Sequence, residues 1–170
     1  MLTLYSHYFS AADLMLENYL KLQAKQKKKG TLTQRDFVDQ RIFFCTWLGF
    51  LGVTCEGFRQ LGMRLFLMNK RPTAFLELVP KLDEIGKVMT QHDDALREFR
   101  NSVFHLRKNL GAVHRFFASE VDRLAWARDL HRLIDRFFSK YRVICEVHYL
   151  MHDRVDESQT GKRRRIVSVL

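Results

Sequence analysis

From Asp36 to about Met68 the chain runs without a proline, and its apolar residues keep a helical step. Phe37, Phe44, Leu48, Leu51, Cys55, Phe58, Leu61, Leu65 and Met68 recur at intervals of three, four or seven, with Arg41 in register. Such a segment can only be helix. Unbroken, it would be about 50 Å long at 1.5 Å per residue. Gly49, Gly52, Gly57 and Gly62 weaken it and predict a bend. Its apolar face is wide around residues 43–53, which predicts burial on more than one side. Glu56 stands alone in this run. It reads either as a helix-surface residue or as a buried acid that orients an arginine.

The rest of the chain repeats the pattern. Only two prolines and eight glycines occur in 170 residues, so an all-α bundle of four to five main helices is expected. Ser10 and Asp13 resemble a capping box, opening a first helix over about 11–26 with Ala12, Leu16, Tyr19 and Leu20 inward. Lys25 to Lys29 and Gly30 mark its C-terminus, and those lysines read either as a solvated end or as phosphate ligands. Thr33 and Asp36 form a second cap. Pro72 breaks the long helix, and Pro80 fits the first turn of a helix running to about Thr90. Gly111 suits the stop of the next helix, and residues 112–118 read as a connector. Ser119 and Asp122 precede a last long helix over about 120–152, with Leu130, Ile134, Phe137, Tyr141, Ile144, His148 and Met151 as its stripe. A single domain over 1–153 is expected, followed by a basic, mobile tail over 154–170.

Charge and cysteines bound the function. The net charge is +10 and the isoelectric point about 9.8, which favours a polyanionic partner, nucleic acid before membrane. Cys45, Cys55 and Cys145 are odd in number and lack paired spacing, which suggests reduced thiols in a cytoplasmic protein. The start of the chain lacks the charged end and long apolar core of a signal peptide. The most apolar stretch, Ile42 to Val53, is too short to span a bilayer.

One segment carries chemistry. Between Asp94 and Leu110 the residues Leu96, Phe99, Val103, Leu106 and Leu110 fall within an arc of about 80° at 100° per residue. Arg97, Arg100, Asn101, Phe104, His105 and Lys108 occupy an arc of about 140° almost opposite. One face therefore packs into the core, with Leu96, Phe99, Val103 and Leu106 buried. The other carries cations, an amide and an imidazole around one exposed phenylalanine. Asp93 or Asp94 is expected at the N-cap. Asn101 and His105 are four apart, so on an unbroken helix their side chains are neighbours. His92, Asp93 and Asp94 read as cap and loop rather than as metal ligands, because no further ligand stands at coordinating spacing.

The run Arg100-Asn101-x-x-x-His105 resembles the signature of the HEPN superfamily. That resemblance implies an all-helical fold and a metal-independent endoribonuclease, found in toxins and anti-phage defence proteins. It implies Arg100, Asn101 and His105 as catalytic residues. It also implies a homodimer in which the two motif helices face each other, and an antitoxin or defence-system partner. Arg97, Arg107, Lys108, His114 and Arg115 are the expected RNA contacts. No cofactor is expected and no residue is assigned to a metal.

The residue types suit the reaction. RNA supplies its own nucleophile, the 2′-OH. A metal-free enzyme must take the proton from that hydroxyl, hold the negative pentacoordinate phosphate, and protonate the 5′ leaving oxygen, leaving a 2′,3′-cyclic phosphate. An imidazole titrates near neutral pH and suits the proton transfers. A guanidinium stays charged and grips two phosphate oxygens. Two other readings remain. Arg100 and His105 could be surface residues of a non-catalytic module that binds nucleic acid or a partner protein. The chain could also be a subunit held silent by an antitoxin.

Overall fold

Caps, prolines and two left-handed glycines divide the chain into helices. A computed structural model describes residues 1, 3–105, 111–117 and 122–154, without the side chains of Ala112 and Arg115. The described residues contain helices and no strand. The fold is an all-α bundle with five helices longer than ten residues. These are α1 (Ser10–Lys29), α2 (Gln34–Gln60), α4 (Val79–Gln91), α5 (Asp93–Phe104) and α7 (Arg123–Met151). Two shorter ones, α3 (Met63–Lys70) and α6 (Gly111–Phe117), lie between them. A π-helical turn, Leu4–Phe9, leads into α1, and a 3-10 turn, Thr73–Leu78, leads into α4. The expected tail beyond Arg154 lies outside the described residues.

Several boundaries follow the expected chemistry. Thr33 caps α2 by accepting from the Asp36 N–H at 3.1 Å, and its hydroxyl donates to the Asp36 carboxylate at 2.8 Å. Gly30 ends α1 with φ 76°, a left-handed angle that favours glycine. The expected bend in the long helix falls at Gly62, whose φ is 51°. That turn resets the helical phase. Met63 and Leu67 of α3 are buried, whereas the expected Leu65 and Met68 are exposed, as is Leu61 just before the turn. Pro80 sits in the first turn of α4. Asp122 caps α7 through the Ala125 N–H at 2.9 Å.

Other boundaries differ from expectation. Helix begins at Leu4 rather than after Ser10, and Ser10 Oγ donates to the Tyr5 carbonyl instead of capping. Leu20, in the middle of α1, and Phe37, in the first turn of α2, are exposed. Residues 112–117, expected as a connector, belong to α6, and Gly111 opens that helix rather than ending the one before. Val113 and Phe116 pack inward at helical spacing. Met151 is 78% exposed, because the α7 stripe outruns its neighbours beyond Ile144.

The core joins these elements. Trp47, Leu48, Leu51, Phe58, Phe99, Leu130, Ile134, Phe137 and Phe138 are all almost fully buried. Helix α2 packs against α1 on one side and α5 on another, as its wide apolar face implies. Trp47 Nε1–H donates to His131 Nδ1 at 3.2 Å. His131 Nε2 must then carry the imidazole proton, and it faces the Asp13 carboxylate at 3.1 Å. This chain ties α2, α7 and α1 together, with Phe9 stacked on the imidazole at 4.9 Å.

Candidate active site

Glycines in α2 let α5 lie close, and that approach builds the site. A Cβ added at Gly52 would stand 3.2 Å from Arg100 Cβ and 3.5 Å from Leu96 Cγ. A Cβ added at Gly49 would stand 2.8 Å from the Phe104 ring. The two helices run antiparallel. Gly49 faces Phe104, Gly52 and Glu56 face Arg100, and Arg59 faces Asp93. Leu96 and Phe99 of α5 are buried and Val103 is half-buried, as the stripe predicts; Leu106 and Leu110 lie outside the described residues.

Arg100 is the centre of the cluster. Its side chain is only 17% exposed, and Nη1 donates to Glu56 Oε2. Nε and Nη2 both donate to Asn101 Oδ1, at 3.1 and 2.7 Å. Of the five N–H donors on a guanidinium, three are engaged here. One remains on each terminal nitrogen for an incoming oxyanion. Glu56 is not the buried acid of the sequence expectation, since its side chain is 43% exposed, but it does hold an arginine. The guanidinium is thereby held in place with one N–H on each terminal nitrogen not engaged by a described residue.

A crevice of about 80 Å³ lies beside this pair, lined by Gly52, Glu56, Arg59, Asp93, Leu96, Arg97 and Arg100. Each of its arginines has a carboxylate partner. Arg59 meets Asp93, Arg97 meets Asp94 at 2.8 Å, and Arg100 meets Glu56. The two aspartates expected as N-caps thus stand in the first turn of α5 as ion-pair partners, and the N-cap is His92, which makes no side-chain cap bond. His92 packs edge-on against Trp126 at 5.2 Å. Arg97 and Asp94 are both exposed, so phosphate can displace that carboxylate at little cost.

His105 departs from the helical wheel. Helix α5 ends at Phe104, and His105 adopts an extended backbone with φ −121° and ψ 133°. Its N–H still bonds the Asn101 carbonyl at 3.1 Å. The reason lies in the last turn. Asn101, Ser102, Val103, Phe104 and His105 are all weak helix formers. Ser102 Oγ also bonds back to the Glu98 carbonyl at 3.0 Å, which competes with the backbone ladder. The imidazole is exposed at the helix end, with no hydrogen bond to a described residue. Arg100 and Asn101 are therefore held together, while His105 projects from the end of the same helix.

Phe104 is 43% exposed, yet its ring lies over Gly49 and 5.4 Å from Phe50. Of the expected RNA contacts, Arg97 lines the crevice and His114 is exposed on α6. Arg107, Lys108 and the Arg115 side chain lie outside the description. Arg59 was missed from sequence. Its signal is the spacing from Glu56, which puts both residues on the Gly52 face of α2.

No family model, curated protein or solved structure matches this chain.

Proposed function

We propose that this chain is a metal-independent endoribonuclease of HEPN type, acting on single-stranded or loop RNA as a toxin or anti-phage defence component. One observation carries the reading. Arg100 is braced from two sides by Glu56 and Asn101 while keeping two donors free, five residues before an exposed imidazole at the end of the same helix. In this reading Arg100 holds the scissile phosphate and the charge that builds on it. His105 moves the protons. Asn101 and Glu56 position the guanidinium. The net charge of +10 supplies the attraction for RNA.

Each chain offers one motif arginine, Arg100, and one motif histidine, His105, so the reading includes a homodimer with two motif helices facing each other. Phe104, Phe117 and Ile42 support it. They are 43%, 50% and 52% exposed; Phe104 lies over Gly49 and Phe117 lies 6.3 Å from Phe99. An antitoxin or other defence-system partner, and a cytoplasmic location, belong to the same proposal. No helix among the described residues is long and apolar enough to cross a membrane.

The extended backbone at His105 supports a second reading. A histidine that has left the helical ladder is not held against Arg100, which suits a non-catalytic module binding RNA or a protein. The two readings separate on products. Labelled RNA incubated with the purified chain in EDTA should yield fragments ending in 2′,3′-cyclic phosphate. Retarded but intact RNA would favour the binding module.

A further inference from the structure

We propose that His148 and His152, at the free end of α7, form a binding site for a divalent transition-metal ion of the zinc class. The buried face of α7 runs through Phe137, Tyr141 and Ile144 and then leaves the bundle. On that same face stand His148, half-buried, and His152, exposed. They are four residues apart, which makes their side chains neighbours on a helix. Their ring centroids lie 4.1 Å apart with planes inclined by 40°. Two imidazole nitrogens that share one zinc ion must each reach it at about 2.0–2.1 Å, so the rings must rotate out of this tilted face-to-face arrangement to aim their in-plane lone pairs at one ion.

The hydrogen bonding prepares one ligand. His152 Nδ1 lies 2.7 Å from the His148 carbonyl oxygen. A carbonyl only accepts, so Nδ1 carries the proton and Nε2 keeps its lone pair. Metal-bound histidines are commonly oriented in this way, with the distal N–H given to a backbone carbonyl. His148 makes no hydrogen bond to a described residue, which leaves its ring free to turn toward the ion. The position also favours a cation, since the last carbonyls of α7 carry the negative end of its dipole.

The donor set selects the ion. Two imidazoles suit zinc, copper, nickel or cobalt and not magnesium or calcium. The spacing is that of the paired histidines in helical zinc sites. The residues between them, Tyr149, Leu150 and Met151, supply no carboxylate to act as a base. No group of three or more potential ligands occurs among the described residues, so water completes the coordination. The site binds an ion and clamps the last turn of α7. None of the residues lining the Arg100 crevice belongs to α7.

Calorimetric titration of the full chain with zinc chloride in a non-coordinating buffer tests this. One ion should bind per chain. His148→Ala and His152→Ala should each weaken binding at least about ten-fold, the scale on which ligand-sphere changes act, while His7→Ala should not. Unchanged affinity in both variants would overturn the site. A second measurement needs no substitution. Zinc should protect His148 and His152, but not His7, from diethyl pyrocarbonate, as read by mass spectrometry. Equal modification with and without zinc, or equal protection by magnesium, would overturn the proposal as well.

Discussion

Glu56 on α2 and Arg100 on α5 meet across a seam that Gly52 keeps narrow. The two residues are 44 apart in sequence, and only the antiparallel packing of the two helices joins them. Arg100 is mostly buried, while Glu56 is 43% exposed. Glu56→Gln should therefore cost about 1–2 kcal/mol, between the values for exposed and buried pairs. RNA cleavage should fall further than stability, by about 10- to 100-fold, because a guanidinium released from its brace is misplaced. Chemical denaturation and single-turnover cleavage measure the two effects. Equal activity in Glu56→Gln would remove its positioning role.

Gly52→Ala separates geometry from stability. Alanine gains about 1 kcal/mol of helix propensity over glycine. Its Cβ would press on Arg100 Cβ at 3.2 Å, an atom close to the α5 backbone that cannot swing away. Helix α5 must then shift by a few tenths of an ångström. The variant should stay within about 1 kcal/mol of wild type in stability and lose cleavage. Gly49→Ala meets only the end of the exposed Phe104 ring, which can rotate, so that variant should keep activity. Loss of activity in Gly49→Ala alone would reverse this account of the seam.

Much of this was legible in the sequence, and the misses have physical causes. The buried residues of α5, the cap at Thr33 and the break near Gly62 follow from spacing and turn chemistry, while α7 starts at Arg123 with Asp122 as its N-cap, three residues later than the expected start near Glu120. The phase of α3 was not legible, because a single left-handed residue rotates everything after it. The end of α5 at Phe104 was missed because the apolar period continues to Leu110, whereas weak propensity in the last turn ends the helix. The partner of Glu56 depends on which helix α2 meets, and no local pattern states that.

Acid should loosen the α1–α2–α7 junction. Burial pushes the His131 imidazole below its ordinary range, and Asp13, with a smaller contribution from Asp135, only partly opposes this. The unfolded chain takes up the proton near pH 6.5, while the folded chain resists it because Trp47 occupies Nδ1. Above about pH 6.5 both states are neutral at this position and it adds no pH dependence; below it the unfolded state gains. The melting temperature should fall between about pH 7 and 5, and His131→Gln should flatten that slope. An unchanged slope in the variant would assign it to other groups.

Phe99→Ala should be the costliest single change in α5. Its ring is fully buried against Phe116 at 5.0 Å and edge-on to Phe44 at 6.4 Å. A cavity of that size costs about 3–5 kcal/mol, read as a shift of the urea midpoint. A loss below about 1 kcal/mol would mean that the α5 face is not packed as described.

The dimer proposal predicts a mass of about twice 20.3 kDa by light scattering at micromolar concentration. Phe104→Glu should return it to a monomer and abolish cleavage without unfolding the chain. A wild-type monomer that cleaves RNA would show that one motif helix suffices.

RNA cleavage in EDTA by wild type, Arg100→Ala and His105→Ala, compared side by side, tests the central claim most directly. His105 is exposed, so its truncation opens no cavity in the core. Loss of the proton-transfer group should lower the rate about 10²- to 10⁴-fold, and loss of Arg100 by a similar factor. RNA binding by His105→Ala should persist. Undiminished cleavage by His105→Ala, or wild-type activity that vanishes with the chelator, would contradict a metal-free ribonuclease built on these two residues.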